Sequence, residues 1–360
     1  MKLLIDGRVL QHKKITGVER YVLELLSALD RSGVRYDLAR PSSGNRYGQH
    51  LWEHTTLAFR ARKYDLLFSP GNIAPLWKPR GTKFVTTIHD LSFWYFPEPY
   101  SKMFRAYYSL VIPRLIKISD AVLTLSEDER GKMIERFPYA REKIHIVRGC
   151  LNEKFLQCLP QPEKDSVILF VGSLNWRKNY HGAIAAFYRI MDRTPNRLVI
   201  VGGSNQIFKE DLRVKGLLAK IPSEKIEFKG YLDESQLFEL YRRARVFVFP
   251  SFYEGFGFPP LEAMACGCPV IASQTPSLME VCGDAAYYVD PYDVEGIAEG
   301  IFRVLSDEGL RENLIRKGLE RARFFSGERS VSALLRIFDE ALGGKNSGGK
   351  QPRGEIFPPP

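Results

Sequence analysis

Two glutamates frame a glycine-rich turn in the stretch YEGFGFPPLEAMACG, residues 253–267. The apolar run RVFVFPS (245–251) predicts a buried strand before it, and the Pro-Pro pair predicts a helix that begins at Pro260. Glu254 then lies in a loop at the carboxyl end of a strand, where open α/β sheets bind ligands. Glu262, in the first helical turn, could accept hydrogen bonds from two neighbouring hydroxyls, such as those of a ribose. It could equally favour the helix N-terminus through a charge–dipole interaction of about 0.3–1 kcal/mol.

The loop between the two glutamates also offers backbone groups to a ligand. Gly255 and Gly257 let the main chain come close to a bound molecule. The free amides of the loop and the following helix N-terminus attract anions. The stretch therefore predicts a site that holds an anionic group together with several hydroxyls.

Short apolar runs alternate with helical patterns along the chain, which predicts parallel sheets covered on both faces. In the first half, the predicted strands are 2–6, 65–69, 84–90 and 121–126, and the predicted helices are 18–29 and 101–118. In the second half, the predicted strands are 167–172, 197–203, 225–230, 245–251 and 269–273. The helical patterns there are 178–192, 208–219, 235–243, 260–266, 293–305, 309–325 and 328–342. We predict an α/β protein with two Rossmann-like β/α/β domains that face each other across a cleft.

The series is interrupted once, over residues 148–166, where the periodicity is lost and two prolines occur. We place an interdomain linker there, with a first domain over 1–158 and a second over 159–326. The last helix, 327–342, is expected to pack back on the first domain. The tail 343–360 is rich in glycine, proline and charge and is predicted to be disordered.

Composition limits the class of protein. With 360 residues, 44% of them apolar and 26% charged, the chain is typical of a soluble globular protein of two domains. No apolar run approaches the roughly 20 residues that span a bilayer. The five cysteines fit neither a disulfide framework nor a zinc site, so a reducing cytoplasm is the expected location.

The positive charge is concentrated in the first half. Residues 1–158 carry 26 Lys and Arg against 16 Asp and Glu, whereas the remaining residues carry 26 of each, so the net charge of +10 belongs to the first half. This imbalance predicts an acidic partner, either an anionic membrane surface or a nucleic acid, although it can also serve general solubility. No zinc-finger, RNA-recognition or helix-turn-helix pattern supports nucleic-acid binding. A dinucleotide-dependent oxidoreductase would need G-x-G-x-x-G after the first strand, and this motif is missing there.

Glu254 and Glu262 enclose seven residues, and this E-x7-E spacing resembles the motif of retaining, nucleotide-sugar-dependent glycosyltransferases with the GT-B fold. Further segments resemble the same family in the same order: ITGVERYVLELLSAL (15–29), TIHDLSF (87–93), FVGSLNWRKNYHGAIAAF (170–187), RLVIVGGS (197–204), the long segment 228–273 and DAAYYVDPYDVEGIAEGI (284–301). The resemblance covers most of residues 1–340. It implies the two-domain GT-B architecture and transfer of a hexosyl group with retention at the anomeric carbon.

The resemblance implies a role for each matching residue of the second half. Glu254 would contact the donor sugar near its reacting face, and Glu262 would bind the ribose hydroxyls. GSLNWRKN matches a diphosphate clamp in which Lys178 is the clearest match and Arg177 supplies a second cation, although the two could also be a solvated helix start. Ser173 departs from the pattern, because many relatives carry arginine there.

Two matching positions lie in the first half. Gly17 would let a helix N-terminus approach the diphosphate, and His89, at a strand end, would contact the transferred sugar. Each also has an ordinary structural interpretation, as a turn residue and as a lone structural histidine. The implied catalytic residues are Glu254, His89, Arg177 and Lys178. The implied donor-binding residues are Gly17, Ser173, Arg177, Lys178, Gly230, Tyr231, Leu232, Glu254, Gly255, Phe256, Gly257, Phe258, Leu261 and Glu262.

The chain contains no Asp-x-Asp motif, which agrees with a GT-B enzyme that binds its diphosphate with cations and helix dipoles. We therefore expect neither a metal nor a cofactor. ITGVERY and TIHDLSFWYFPE resemble bacterial mannosyltransferases of O-antigen and exopolysaccharide assembly. This resemblance implies GDP-mannose as the donor and a lipid-linked saccharide as the acceptor. A UDP-sugar or another GDP-sugar stays open as the donor, and a sugar-nucleotide epimerase of the same fold stays open as the activity.

The stretch YSKMFRAYYSLVIPRLIKIS (100–119) interleaves tyrosine and phenylalanine with Lys102, Arg105, Arg114 and Lys117. Such a helix could rest on an anionic cytoplasmic leaflet, where each cation near the surface is worth about 1 kcal/mol. It could equally be an ordinary amphipathic helix with its aromatic side chains in the core. We expect a cytoplasmic protein, which would be peripheral on the membrane if the first interpretation holds.

Overall fold

The computed structural model describes residues 1–11, 15–42, 46–158, 163–203 and 212–344. The chain forms two compact units. The first unit comprises residues 1–94, 102–150 and the chain from Phe325, and the second comprises residues 95–101 and 151–324. The division after Cys150 falls inside the predicted linker but earlier than the predicted boundary at residue 158. The short segment 95–101 belongs to the second unit, although it lies inside the predicted first domain.

The first unit is built on a parallel sheet. Its strands are β1 (Leu3–Asp6), β2 (Asp37–Ala39), β3 (Leu66–Ser69), β4 (Lys83–Thr87), β5 (Ala121–Thr124) and β6 (Ile144–Ile146). They are arranged in the order β2-β1-β3-β4-β5-β6. Every residue of β1, β3 and β5 is buried. Continuous apolar runs therefore form these strands because helices cover both faces of the sheet.

The second unit repeats this plan. Its strands are β7 (Val167–Val171), β8 (Arg197–Val201), β9 (Ile226–Gly230), β10 (Val246–Phe249), β11 (Val270–Ser273) and β12 (Ala286–Val289). They lie parallel in the order β12-β11-β10-β7-β8-β9. Phe170 and Val248 of this sheet share one buried cluster with Phe187 and Ile301 of the covering helices. Since β7 and β10 are neighbours, the loops that follow them leave the same edge of the sheet side by side.

Helices connect and cover the strands. The first set is α1 (Gly17–Arg31), α2 (Arg46–Trp52), α3 (Ala58–Ala61), α4 (Ser92–Tyr95), α5 (Lys102–Ile118), α6 (Glu127–Arg136) and α7 (Glu153–Leu156). The second set is α8 (Tyr180–Ile190), α9 (Leu212–Leu218), α10 (Glu234–Arg243), α11 (Phe258–Ala265), α12 (Pro276–Cys282), α13 (Val294–Ser306), α14 (Glu308–Ala322) and α15 (Gly327–Ala341). A short 3-10 turn, Trp176–Lys178, precedes α8.

The strands predicted from the sequence are all present, and three further strands were missed. The missed strands β2, β6 and β12 each lie at the edge of a sheet. β2 has the sequence DLA, and only its last residue is buried. An edge strand this short carries no apolar run, so periodicity cannot reveal it. The helices missed by the prediction are α2, α3, α4, α6, α7 and α12, each of ten residues or fewer. Residues 208–211 of the predicted helix 208–219 lie outside the described residues.

Helix α5 continues through Pro113 and ends at Ile118. Its aromatic side chains pack against other rings of the first unit: the ring centroids of Phe104 and Tyr108 lie 4.2 Å apart, and Tyr108 lies 5.5 Å from Phe93. The exposed apolar side chains of α5 are instead Met103 and Leu110. Of the helices in the described ranges, none combines the length and apolar character that a bilayer span requires.

The last helix, α15, is part of the first unit. The ring of Phe338 lies 5.3 Å from that of Phe68 on β3. The start of α15 comes so close to α1 that a Cβ on Gly327 would lie 2.7 Å from the Cβ of Ala28. This position therefore needs a glycine for packing. Residues 345–360, most of the predicted tail, lie outside the described residues.

Candidate active site

The turn between Glu254 and Glu262 is closed by a glycine in a conformation that other residues rarely adopt. Gly257 has φ +124, and a Cβ there would lie 2.6 Å from Leu278. Helix α11 begins at Phe258, two residues earlier than predicted. The predicted placement of Glu262 in the first helical turn is therefore wrong, because Glu262 is the fifth residue of the helix. A charge–dipole role is weakened accordingly, since that interaction falls off within the first turn.

Glu254 is bound by cations and a hydroxyl. Both of its carboxylate oxygens lie 2.7 Å from Lys178 Nζ. Ser251 Oγ donates to Glu254 Oε1 at 2.5 Å, and Arg177 Nη1 lies 3.5 Å from Oε2. The carboxylate is 7% exposed. The structure thus joins three of the four residues predicted to be catalytic in one cluster, which we call the Glu254 cluster (Ser251, Arg177, Lys178 and Glu254).

The loops after β7 and β10 hold this cluster through backbone bonds. Arg177 Nη1 donates to the carbonyl of Tyr253 at 2.8 Å, and the amide of Phe252 donates to the carbonyl of Arg177 at 2.9 Å. Asn179 has φ +53, and its side-chain amide donates to the carbonyls of Pro250 and Pro291. This asparagine ends the 3-10 turn and begins α8. The two loops are therefore fixed to each other before any donor binds.

Glu262 has a different partner. It is 3% exposed, and its Oε2 accepts a hydrogen bond of 3.0 Å from the hydroxyl of Tyr241 on α10. Tyr241 is completely buried. Neither this tyrosine nor Ser251 was predicted as a site residue. Ser251 could have been found as the last residue of the predicted strand 245–251, whereas nothing in the sequence relates Tyr241 to Glu262.

The other predicted donor-binding residues of the second unit fall into two groups. The side chains of Phe256, Phe258 and Leu261 are buried in the protein. These positions can therefore offer a ligand only their backbone. By contrast, Gly230 ends β9 with φ +64, and Tyr231 beside it is 48% exposed.

Ser173 and Leu232 are partly exposed in the loops after β7 and β9. A Cβ on Gly202, after β8, would lie 1.9 Å from the carbonyl oxygen of Gly172. The loops after β7 and β8 are therefore in close contact. These positions and the Glu254 cluster follow the carboxyl ends of neighbouring strands of one parallel sheet. That edge is where such sheets bind ligands.

Gly17 lies at the start of α1 in the first unit. Thr16 caps this helix, and its amide donates to the carboxylate of Glu19 at 2.8 Å. A Cβ added to Gly17 would meet no atom of the protein within 4 Å. Internal packing therefore does not explain the glycine, and an exposed helix start without a side chain is accessible to a ligand.

His89, also in the first unit, is held by hydrogen bonds. Its Nε2 lies 2.8 Å from the carbonyl oxygen of Pro70, and its amide donates to Asn72 Oδ1 at 2.7 Å. A carbonyl can only accept, so Nε2 carries the proton and Nδ1 is the acceptor of the neutral ring. Burial lowers the pKa of His89 below its ordinary value, which keeps the ring neutral near pH 7. The neutral ring of His89 therefore has an acceptor at Nδ1 and supplies no positive charge.

Within the described ranges, no three His, Cys, Asp or Glu side chains come together as metal ligands would. The positive groups of the second unit that face Glu254 are the side chains of Arg177 and Lys178. A binding site for an anionic group here would rest on these two cations and on the backbone amides of the loop.

Two protein families match the chain. The family described as Glycosyl transferases group 1 matches residues 152–321, and Glycosyltransferase Family 4 matches residues 15–154. O-antigen chain mannosyltransferase B of Escherichia coli is 31% identical over 264 residues, which cover 71% of this chain and 69% of that protein. O-antigen chain mannosyltransferase RfbU of Salmonella typhimurium is 30% identical over 208 residues, which cover 58% of this chain and 56% of that protein.

Solved structures are similar over almost the whole chain. Sucrose-phosphate synthase from Thermosynechococcus elongatus superposes with a TM-score of 0.75 at 21% identity, covering 96% of this chain and 100% of that one. The Anabaena protein HepE, solved with UDP and glucose, gives a TM-score of 0.69 at 16% identity, with 95% and 100% covered. At these identities the likeness concerns the fold alone, and the fold is the two-domain GT-B architecture.

Proposed function

The chain belongs to the Glycosyl transferases group 1 family, and on this premise we propose that it transfers mannose from GDP-mannose to a saccharide acceptor, with retention at the anomeric carbon. The acceptor would be lipid-linked, and the product would be a cell-surface polysaccharide of the O-antigen or exopolysaccharide type. Support for the sugar and the product comes from the two O-antigen mannosyltransferases that are 31% and 30% identical to this chain over the aligned residues.

The observation that carries the proposal is the Glu254 cluster. Two cations meet one carboxylate at the carboxyl ends of neighbouring strands, where a nucleotide-sugar would place a diphosphate next to a hexose. When the sugar leaves the donor, negative charge grows on the diphosphate, and Lys178 and Arg177 would stabilise it. Glu254, released from part of its contact with Lys178, would accept hydrogen bonds from sugar hydroxyls.

The remaining predicted roles fit this reaction. Glu262 would bind the ribose hydroxyls. Nδ1 of His89 would accept a hydrogen bond from a hydroxyl of the sugar. The bond between the anomeric carbon and the diphosphate oxygen breaks, and a bond to the acceptor oxygen forms. The proton of the acceptor hydroxyl leaves with the nucleoside diphosphate. None of these steps needs a metal, because the two cations supply the charge.

The donor is tested by thermal unfolding with a panel of nucleotide-sugars. GDP-mannose at 100 times its dissociation constant should add about 2.7 kcal/mol to the free energy of unfolding. UDP-glucose and UDP-N-acetylglucosamine at the same concentration should add much less. Greater stabilisation by a UDP-sugar would overturn the proposed donor.

An acceptor requirement is tested with radiolabelled GDP-mannose. We expect label to appear in a lipid-linked saccharide fraction only when such an acceptor is present. Conversion of the donor to another nucleotide-sugar without an acceptor would instead indicate an epimerase.

We also propose that α5 contacts an anionic membrane surface. Met103 and Leu110 on this helix are 69% and 77% exposed. They lie on one helical face, because their spacing of seven residues is two turns. Lys102 and Arg105 beside them are exposed as well. An apolar stripe flanked by cations suits a leaflet that carries negative headgroups.

Flotation with vesicles tests this contact. The protein should float with phosphatidylglycerol vesicles and not with pure phosphatidylcholine. A Lys102→Ala/Arg105→Ala variant removes two cations, worth about 1 kcal/mol each, so its partition coefficient should fall about 30-fold. Lys215→Ala/Lys220→Ala, which removes two exposed lysines from the second unit, should float as the unmodified protein does. Equal recovery with neutral and anionic vesicles would disprove the contact.

A further inference from the structure

Tyr241 links the buried carboxylate of Glu262 to the neighbouring helix. Its hydroxyl donates to Glu262 Oε2 at 3.0 Å, and its side chain is completely buried. We propose that Tyr241 is a positioning residue for donor binding: it fixes the Glu262 carboxylate in the orientation that accepts the ribose hydroxyls. This inference rests on the proposed function, because it assigns a task to a neighbour of the ribose-binding residue.

The chemistry of the hydrogen bond suits this task. A carboxyl group that is 3% exposed needs hydrogen-bond partners, because burying a polar group without them is costly. A tyrosine hydroxyl satisfies part of this need without adding positive charge. A carboxylate has about four acceptor positions, so it can accept from the tyrosine and from other donors at the same time. Glu262 is thus oriented by a neutral hydroxyl donor, whereas Glu254 is paired directly with Lys178.

The tyrosine ring is itself held in place. Its centroid lies 5.6 Å from that of Phe247 and 6.3 Å from that of Phe155, and both contacts are edge-to-face. Phe247 belongs to β10, the strand that leads into the Glu254 loop. Phe155 belongs to α7. Rings from a strand and a helix pack against the tyrosine and hold its side chain in one rotamer. Its hydroxyl therefore points to Glu262 before the donor binds.

The two glutamates of the turn are consequently supported from different directions. Glu254 is held from the loops after β7 and β10, and Glu262 is held from α10. Helix α10 comes before β10 in the chain and α11 comes after it. The distance between the two carboxylates therefore depends on how these two helices are held next to β10. The hydrogen bond from Tyr241 to Glu262 joins α10 to α11 directly at this carboxylate.

The test is Tyr241→Phe, which removes the hydroxyl and keeps the ring packing. We expect the KM for GDP-mannose and the dissociation constant of GDP to rise about tenfold, the lower end of the 10- to 100-fold losses seen when the groups that orient metal-binding side chains are removed. The kcat at saturating donor should stay within about twofold, because binding of the ribose is equal in the ground and transition states.

The matched control is Tyr288→Phe. The Tyr288 hydroxyl donates to the carbonyl of Gly283 at 2.5 Å in the same unit, on β12, which β11 separates from β10. This variant should lower the melting temperature without changing the KM. If Tyr241→Phe behaves as the control does, with lower stability and an unchanged KM, its role is purely structural and the inference is wrong.

A second comparison separates this inference from the proposed function. Tyr241→Phe should have no further effect on donor affinity in a Glu262→Ala background, since its action passes through that carboxylate. If Glu262→Ala alone leaves donor affinity unchanged, the ribose assignment fails. If Glu262→Ala weakens binding but Tyr241→Phe does not, only the positioning role fails.

Discussion

Lys178→Ala is expected to lower kcat about 10²- to 10³-fold, the effect of removing one preorganised group that stabilises transition-state charge, about 2.7–4 kcal/mol. The lysine would face the diphosphate as it becomes a leaving group, so its contribution is greatest when the sugar–oxygen bond breaks. The KM for the donor should rise less than kcat falls. Initial rates of transfer at saturating donor and acceptor measure both quantities.

The same substitution also disturbs the resting protein. Lys178 Nζ lies 2.7 Å from each oxygen of Glu254, whose other cation, Arg177, is farther away at 3.5 Å. The variant leaves the carboxylate with Ser251 and Arg177 as partners. We expect a loss of about 1–3 kcal/mol in the free energy of unfolding, the cost of an incompletely satisfied buried group. This loss is too small to unfold a typical protein, so the kinetic effect remains measurable.

Lys132→Ala is the matched control. Lys132 Nζ also contacts two carboxylate groups, Asp128 at 2.7 Å and Glu129 at 3.3 Å, and it lies on α6 in the first unit. Its removal should reduce stability without reducing kcat. Lys178→Arg, which keeps the charge, should recover part of the lost rate. A kcat for Lys178→Ala that matches Lys132→Ala would show that the lysine only supports the fold.

The fold could be predicted from the sequence wherever the strands are buried on both faces. The run VILFV predicts β7 because all five of its residues are buried in a covered sheet. The three missed strands lie at sheet edges, where one side of the strand has no neighbour and the sequence needs fewer apolar residues. In β6, with the sequence IHI, only the first residue is buried. Periodicity therefore gives the centre of each sheet, whereas of the four edge strands it gives only β9.

The site was predictable as a set of residue types but not as a set of contacts. The strand end and the E-x7-E spacing pointed to Glu254, and the resemblance of GSLNWRKN to a diphosphate clamp pointed separately to Lys178. Their pairing across 76 positions depends on β7 and β10 being neighbours in the sheet, and the order of strands is not contained in local spacing. The bond from Tyr241 to Glu262 depends on the same kind of long-range placement. Helix α11 begins at Phe258, ahead of the Pro-Pro pair, and not at Pro260 as predicted.

The two glutamates of the turn should give opposite kinetic results when each is replaced by alanine. Glu262→Ala is expected to raise the KM for every GDP- and UDP-sugar about 100-fold, because two hydrogen bonds from hydroxyls to a charged group are lost at about 1.5 kcal/mol or more each. Its kcat should change little. Glu254→Ala is expected to lower kcat about 100-fold with a smaller change in KM, since its contacts lie next to the reacting carbon. Initial-rate measurements over a range of donor concentrations separate the two.

Structural damage cannot produce this opposite pattern, since both carboxylates are buried to a similar degree, 7% and 3% exposed. Loss of either one removes a buried hydrogen-bond acceptor, from Lys178 and Ser251 in one case and from Tyr241 in the other. Glu129→Ala, which removes a fully buried carboxylate that accepts from the amide of Leu91 at 2.9 Å, controls for this cost in the first unit. Two results would contradict this assignment: wild-type turnover in both glutamate variants, or the same ratio of KM to kcat effects in both. Either result would mean that Glu262 does not bind the ribose while Glu254 binds the sugar.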